Sequence, residues 1–146
     1  MSRLIYLDNA ATTKTAPEVV DAMIPYFTEH YGNPSSVYSF ASGNKEVVSR
    51  QREIIAQALG AQANEIYFTA GGSESDNWAL KATAEAYEKK GKHIITTKIE
   101  HHAILHTCEY LEKQRGFEIT YLDVDENGVV KPVSYTHLTL PTTPYV

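Results

Sequence analysis

Cysteine is nearly absent from this sequence, whose 146 residues include only one, Cys108. No disulfide can form within the chain, which excludes a disulfide-stapled scaffold and favours a reducing compartment, the cytoplasm. No apolar run approaches the ~20 residues that cross a bilayer, and the start has no apolar signal core, so we expect no membrane anchor. Basic residues are scattered, with 13 lysines and arginines against 18 acids. The net charge of −5 disfavours nucleic acid as a partner.

The rest of the composition is that of a globular protein. Hydrophobic residues make up 42% of the chain and charged residues 21%, so a buried core is expected and extensive disorder is not. The length fits a single domain. Composition therefore leaves the function to be read from local motifs.

The most informative stretch joins a predicted strand to a predicted helix through two glycines. Residues 65–69 are aromatic and β-branched, which predicts a buried strand, and residues 74–90 carry no glycine or proline, which favours a helix. Gly71 and Gly72 allow positive φ and close backbone approach, and Ser73 is a good N-cap. Backbone amides at such a helix start favour a phosphate. A capped turn without a ligand fits the same pattern.

Two common nucleotide motifs are missing at this turn. No Gly-Lys-Ser/Thr follows the glycines, so a Walker loop is excluded, and the dinucleotide spacing G-x-G-x-x-G is also absent. The ligand predicted for this turn is therefore a simple monophosphate.

The first half of the chain predicts two helices. Residues 4–7 suggest a short strand, and residues 8–13 a polar loop. Pro17 opens a helix at a position that proline favours, and Pro25 is predicted to kink or restart it. Apolar residues recur at helical spacing on a face that is predicted to be core: Val20, Met23, Ile24 and Phe27.

A turn-rich loop at residues 31–36 precedes the second helix, residues 40–59. This loop is the densest turn cluster in the first half, and surface loops often carry function. Gly60 is the predicted end of the helix, because glycine adopts the left-handed C-cap conformation without strain.

The second half predicts alternating strands and helices. A strand is predicted at residues 92–97, a helix at residues 103–115 and a strand at residues 117–122. Together with the strand and helix on either side of the glycine turn, they give the order β-α-β-α-β. That order predicts an α/β fold with a largely parallel sheet flanked by helices. Ligands of such sheets bind beyond the carboxyl ends of the strands, where the glycine turn and residues 98–101 lie. Residues 123–128 predict a solvated acidic turn rather than a calcium loop.

Three histidines, His101, His102 and His106, follow the strand predicted at residues 92–97. His102 and His106 have a spacing that can chelate a metal, but no further Cys or His cluster supplies the remaining ligands, so a polar helix face is preferred and no metal is expected. His101 leaves the strand beside the glycine turn, where an imidazole can stack on a cofactor ring or move a proton. Cys108 lies on the apolar side of the predicted helix and is expected to pack as a small hydrophobe rather than act as a nucleophile.

Four stretches together resemble a known family. Residues 6–13, 32–36, 69–77 and 100–103 read YLDNAATT, GNPSS, TAGGSESDN and EHHA. In this order and at these spacings the chain resembles the N-terminal third of a cysteine desulfurase of the iron–sulfur-cluster type, a pyridoxal phosphate enzyme of aminotransferase class V. The resemblance covers residues 1 to about 132.

The resemblance implies a partial fold type I architecture in a homodimer. Residues 1–15 would be the N-terminal segment of the small domain, and residues 16–133 the first part of the large pyridoxal phosphate-binding domain, which is built on a mainly parallel sheet with flanking helices. Gly72 and Ser73 match the family residues that hold the cofactor phosphate. His101 matches the catalytic histidine that stacks on the pyridine ring and shuttles protons.

The implied reaction removes sulfur from L-cysteine, giving L-alanine and an enzyme persulfide. The sulfur would pass to an iron–sulfur scaffold or another sulfur-acceptor protein. The family's Schiff-base lysine, its pyridine-pairing aspartate and its loop cysteine belong to segments beyond residue 146, so this chain alone is expected to be inactive. Residues 134–146, with four threonines, two prolines and no charged side chain, are expected to be a non-family, artefactual tail.

Two other functions fit the same motifs. One is another class V pyridoxal phosphate enzyme, a selenocysteine lyase or an aminotransferase. The other is a non-catalytic module that binds a phosphate or a partner. The strings at residues 73–77 and 100–103 favour the desulfurase.

Overall fold

The computed structural model describes residues 4–131. The chain divides into two compact units, of which one ends at Tyr67 and the other begins at Phe68. The tail predicted at residues 134–146 lies outside the described residues. Within residues 4–131, no helix has both the length and the apolar character that crossing a membrane requires.

The first unit contains helices α1, Pro17–Thr28, and α2, Ser39–Leu59, followed by a single 3₁₀ turn, Ala63–Glu65. Helix α1 begins with its proline in the first turn, as predicted. Pro25 does not restart the helix, because it lies one turn from the end and removes only one backbone donor. Its carbonyl still accepts from two amides beyond the helix, at 2.8 Å each.

The predicted core face of α1 is wrong for the part of the chain that the structure describes. No residue of α1 is buried, and Phe27 is 71% exposed. Helical spacing groups the apolar side chains on one face, but it does not supply a neighbour to cover that face. The pattern therefore predicted the helix correctly and its burial incorrectly.

The loop before α2 is fixed to that helix at two points. The Asn44 side-chain amide donates to the carbonyls of His30, at 2.7 Å, and Gly32, at 2.6 Å. A Cβ on Gly32 would lie 2.9 Å from the Cβ of Ala41, so the close approach of loop and helix requires glycine. Helix α2 ends as predicted, because Gly60 adopts the left-handed conformation with a φ of 67°.

The second unit is a parallel strand pair covered by two helices. Its elements are α3, Gly72–Tyr87, β1, His93–Thr97, α4, His102–Arg115, and β2, Glu118–Leu122. The strands pair in parallel from His93 with Glu118 to Thr97 with Leu122. This β-α-β crossover confirms the predicted α/β class. The hydrophobic core of the unit lies between the helices and the strands and contains six side chains: Leu80, Ala84, Ile94, Leu111, Phe117 and Ile119.

Two predicted strands do not form among the described residues. Residues 4–7 and 65–69 lie outside the sheet, which contains β1 and β2, and Glu65 is the last residue of the 3₁₀ turn. An apolar, β-branched run becomes a strand only where a second strand lies beside it to complete the hydrogen-bond ladder. The predicted order β-α-β-α-β is therefore reduced to α-β-α-β in this unit.

The acidic turn after β2 has the predicted form. The Asp125 carboxylate accepts from the backbone amides of Asn127 and Val129, at 2.9 Å each, and Gly128 adopts a φ of 79°. Val124 and Val130 form an isolated antiparallel bridge that closes the turn. The carboxylate of Asp125 is thus used by the backbone of its own turn.

Candidate functional site

The glycine turn leads directly into α3, but with Gly71 as the N-cap rather than Ser73. Gly71 has a φ of 166°, which is extended backbone, and Gly72 is the first helical residue, so neither glycine uses a left-handed conformation. Ser73 lies two residues beyond the N-cap, inside the helix, and so does not have the predicted capping role. Instead, the hydroxyls of Thr69 and Ser75 hydrogen-bond at 2.6 Å and close the turn.

The first amides of α3 remain available to a ligand. The amides of Glu74 and Ser75 both donate to the carbonyl of Gly71, and the amide of Ala70 donates to the Glu74 carboxylate. Among residues 4–131, no acceptor receives the amides of Gly72 and Ser73. A Cβ placed on Gly72 would meet no atom within 4 Å, so space for an anion exists beside these two donors.

His101 caps the other helix of the second unit. It has an extended backbone, with φ −60° and ψ 149°, and its Nδ1 accepts the Ala103 amide at 3.1 Å. Because Nδ1 is the acceptor, the neutral ring carries its proton on Nε2. The sequence predicted the position of His101 after a strand, but not that its imidazole would begin α4.

One cleft of about 440 Å³ brings Ser73 and His101 together. The starts of α3 and α4 both contribute to it, so the positive ends of two helix dipoles lie beside the same space. Gly72 is the neighbour of Ser73 at the start of α3. The volume suits a small ligand.

Sequence reasoning missed other residues that line this cleft. Asn77 and Lys81 follow Ser73 at four-residue intervals on α3, while His106 and Tyr110 continue the row of His102 on α4. Such spacing places each set on one face of its helix, and this signal could have found them. The Lys81 ammonium lies 5.0 Å from the centroid of the Tyr110 ring, which holds a positive charge at the far end of the cleft.

The two histidines with metal-binding spacing lie side by side on α4. The ring centroids of His102 and His106 are 5.4 Å apart, and His106 Nδ1 lies 3.6 Å from the Glu109 carboxylate. Glu109 also pairs with Lys113, and this hydrogen bond lowers the pKa of the Glu109 carboxyl. Across residues 4–131, no group of three or more His, Cys, Asp or Glu side chains could hold a metal ion.

Cys108 is completely buried in the middle of α4, as expected for a cysteine that packs as a small apolar residue. Burial raises the pKa of its thiol above the ordinary value, and the carboxylates of Glu100 and Glu112 raise it further. A raised pKa keeps the thiol protonated at neutral pH, whereas a nucleophilic cysteine acts as the thiolate. This environment opposes a catalytic role for Cys108.

We expect Cys108 to react with a bulky disulfide reagent at least about tenfold more slowly in the native chain than in denaturant, because reaction requires local opening and ionisation. Release of the chromophoric thiol at pH 8 measures the rate. An Ala86→Cys variant supplies an exposed thiol on α3 as the control for reagent access. Equal rates for native and denatured Cys108 would contradict its buried, protonated state.

A parallel strand pair covered by two helices defines an α/β protein, in which the starts of both helices and one imidazole line the same cleft. The sequence profile described as aminotransferase class-V matches residues 5–146. The chain belongs to that family. Its fold is part of the fold type I architecture of pyridoxal phosphate-dependent transferases.

The chain is also similar to individual proteins, one of them a curated relative and two of them solved structures. Over 130 residues the chain is 60% identical to the cysteine desulfurase IscS of Clostridium botulinum (strain Kyoto / Type A2). The aligned part is 89% of this chain and 32% of that protein. A solved NifS-like protein matches with a TM-score of 0.86 and 42% identity, covering 92% of this chain and 36% of the other. A structure of SspA in complex with cysteine matches with a TM-score of 0.83 and 38% identity, and the match covers 93% of this chain and 39% of SspA. The chain therefore spans about a third of the length of the curated relatives it matches.

Proposed function

We propose that this chain supplies part of the cofactor site of a cysteine desulfurase, an enzyme that removes sulfur from L-cysteine to give L-alanine and an enzyme persulfide. The observation that carries the proposal is the shared cleft of Ser73 and His101. Its support is the 60% identity to a cysteine desulfurase over 130 residues. We also propose that residues 1–15 belong to the small domain and residues 16–133 to the large one.

The residues present fit the phosphate of pyridoxal 5′-phosphate. The amides of Gly72 and Ser73 have no acceptor among the described residues, and the space beside Gly72 is open. These donors lie at the positive end of α3, where a doubly charged phosphate is stabilised. The Ser73 hydroxyl adds a further donor at the same helix start.

In the proposed site each residue has a defined task. Bound pyridoxal phosphate supplies an electron sink that weakens the bonds at the α-carbon of an amino acid. Gly72 and Ser73 bind its phosphate group and so fix its position. His101 would lie against its ring and hold or transfer a proton at Nε2, because Nδ1 already accepts the Ala103 amide. The Ala103 hydrogen bond also fixes the orientation of the imidazole.

The partners follow from the reaction. We propose L-cysteine as the substrate, and the cysteine complex of the related SspA structure supports this choice. An iron–sulfur scaffold or another sulfur-acceptor protein would take the persulfide sulfur. We further propose a homodimer in the cytoplasm, where reducing conditions keep the reacting thiols free.

Binding of a cofactor analogue to the 146-residue chain tests the proposed site. Pyridoxine 5′-phosphate lacks the aldehyde and does not attach to surface lysines, so calorimetry with it measures recognition of the phosphate. We expect saturable binding that is at least about tenfold stronger than binding of pyridoxine, because the phosphate gains charge-assisted hydrogen bonds. Equal affinity for the two ligands would contradict the site.

A chimera tests the reaction itself. Residues 4–131 would replace the matching part of the Clostridium botulinum desulfurase. We expect the chimera to form alanine from L-cysteine and, with dithiothreitol present to reduce the enzyme persulfide, an equal amount of sulfide. The same chimera with His101→Ala is the control for a catalytic role. Alanine formation that survives this substitution unchanged would contradict the role of His101, and preference for selenocysteine would favour a lyase. The isolated 146-residue chain is expected to release no sulfide.

A further inference from the structure

The backbone just before α3 is held by two side chains from the first turn of that helix. The Glu74 carboxylate accepts the Ala70 amide at 2.5 Å, and the Ser75 hydroxyl lies 2.6 Å from the hydroxyl of Thr69. Both contacts reach back across the N-cap, Gly71. The Glu74 contact resembles a capping box, in which a glutamate of the first turn bonds to an amide at the helix start. The turn is therefore held by its own hydrogen bonds before any ligand binds.

These hydrogen bonds matter because packing does not restrain the two glycines of the turn. A Cβ built on Gly71 or Gly72 would meet no atom within 4 Å. Glycine loses more conformational freedom on ordering than any other residue. A ligand that had to order this turn itself would bind more weakly, whereas a turn that is already ordered binds with a smaller loss of entropy.

Glu74 has two opposing effects on an anion bound at the start of α3. Its carboxylate is a like charge, which weakens the binding of a phosphate, while its hydrogen bond to Ala70 orders the turn that presents the donors. Glu74 does not line the cleft that contains Ser73 and His101. Any favourable effect on the ligand therefore acts through the backbone of the turn. Glutamine separates the two effects, because it keeps an acceptor oxygen and loses the charge.

We propose that Glu74 is a positioning residue for the cofactor phosphate. By holding the Ala70 amide, its side chain fixes the glycine turn so that the amides of Gly72 and Ser73 are directed at one phosphate group. This inference rests on the proposed function, because it concerns the same site. It adds a residue that acts on the phosphate through the backbone rather than through contact.

Two uncharged variants of the 146-residue chain, Glu74→Gln and Glu74→Ala, test the proposal. Both remove the carboxylate charge, and only glutamine keeps an oxygen that can accept the Ala70 amide. We expect Glu74→Gln to bind pyridoxine 5′-phosphate about three- to tenfold more tightly than Glu74→Ala, the range expected of one hydrogen bond. Pyridoxine, which lacks the phosphate, is expected to bind both variants equally. Calorimetry measures all four affinities.

Hydrogen exchange of the Ala70 amide, measured without ligand, reports the hydrogen bond itself. We expect slower exchange in the wild-type chain and in Glu74→Gln than in Glu74→Ala. Glu85→Gln and Glu85→Ala are the matched controls, because Glu85 is exposed on the same helix, about 16 Å further along its axis. These two variants are expected to bind pyridoxine 5′-phosphate equally.

The outcomes separate this inference from the proposed function. A wild-type chain that does not prefer pyridoxine 5′-phosphate to pyridoxine overturns the proposed cofactor site and this inference with it. If that preference is present, equal affinities of Glu74→Gln and Glu74→Ala for the phosphate ligand overturn the role of Glu74 alone. A lower melting temperature in Glu74→Ala with the same phosphate preference as in Glu74→Gln also overturns that role, because it assigns Glu74 to stability only.

Discussion

Replacing Gly72 by aspartate is expected to lower the affinity of the chain for pyridoxine 5′-phosphate by about 10- to 100-fold without unfolding it. Two like charges ~5 Å apart at an effective dielectric of about 20 repel by roughly 3 kcal/mol, and solvent screening reduces this value. The fold tolerates the change, because a Cβ on Gly72 meets no atom within 4 Å. An acid in the first turn of α3 also interacts favourably with the helix dipole.

Two measurements on the same samples separate binding from stability. Calorimetry gives the affinity and circular dichroism the melting temperature, which we expect to be unchanged or higher. Gly43→Asp is the matched control, because a Cβ at that exposed position of α2 also meets no atom and the charge change is identical. Unchanged affinity in Gly72→Asp, or an equal loss in Gly43→Asp, would show that the phosphate does not bind at the start of α3.

Replacing Leu111 by alanine is expected to destabilise the second unit by about 2–5 kcal/mol, the usual cost of removing a buried leucine side chain. Leu111 is 2% exposed and packs in the core with Ala84 and Phe117. A loss of this size is a large fraction of the 5–15 kcal/mol that stabilises an ordinary domain. Because Leu111 belongs to α4, whose first turns line the Ser73 cleft, the same change should weaken ligand binding.

Urea unfolding of the variant, followed by circular dichroism, gives the change in the free energy of unfolding. Leu59→Ala is the control, since this leucine at the end of α2 is exposed and its truncation is expected to change stability by no more than about 0.5 kcal/mol. A similar loss from both substitutions would contradict the assignment of the core to the α3, α4 and strand layers.

The sequence predicted the positions of helices better than it predicted which side chains are buried. Helices α1, α2 and α4 follow from helical spacing and from Pro17 and Gly60, both of which act through their own backbone conformation. Residues 65–69 have the composition of a strand, yet a strand depends on a partner that no local pattern specifies. For the same reason the apolar face of α1 was identified while its exposure was not.

The sequence predicted that Ser73 and His101 lie near each other, but it did not predict how the backbone around them is arranged. Ser73 and His101 were chosen because their motifs lie at the ends of predicted strands, and in the structure both side chains line one cleft. The predicted N-cap, Ser73, is two residues later than the observed one, Gly71, because serine and glycine both favour helix starts and only the backbone decides between them. Asn77 and Lys81 lie on the same face of α3 as Ser73, which helical spacing could have shown, but that spacing does not show that α4 packs beside this face.

The cleft that holds Ser73 and His101 is built from one continuous stretch of chain, Gly72 to Leu122, in which α3 packs against α4 and β1 pairs with β2. Contacts between segments that are close in sequence form quickly, so such a stretch can fold soon after it leaves the ribosome. A growing polypeptide would then present the proposed phosphate site while translation is still under way. Capture of the coenzyme at that moment would favour the nascent fold by mass action.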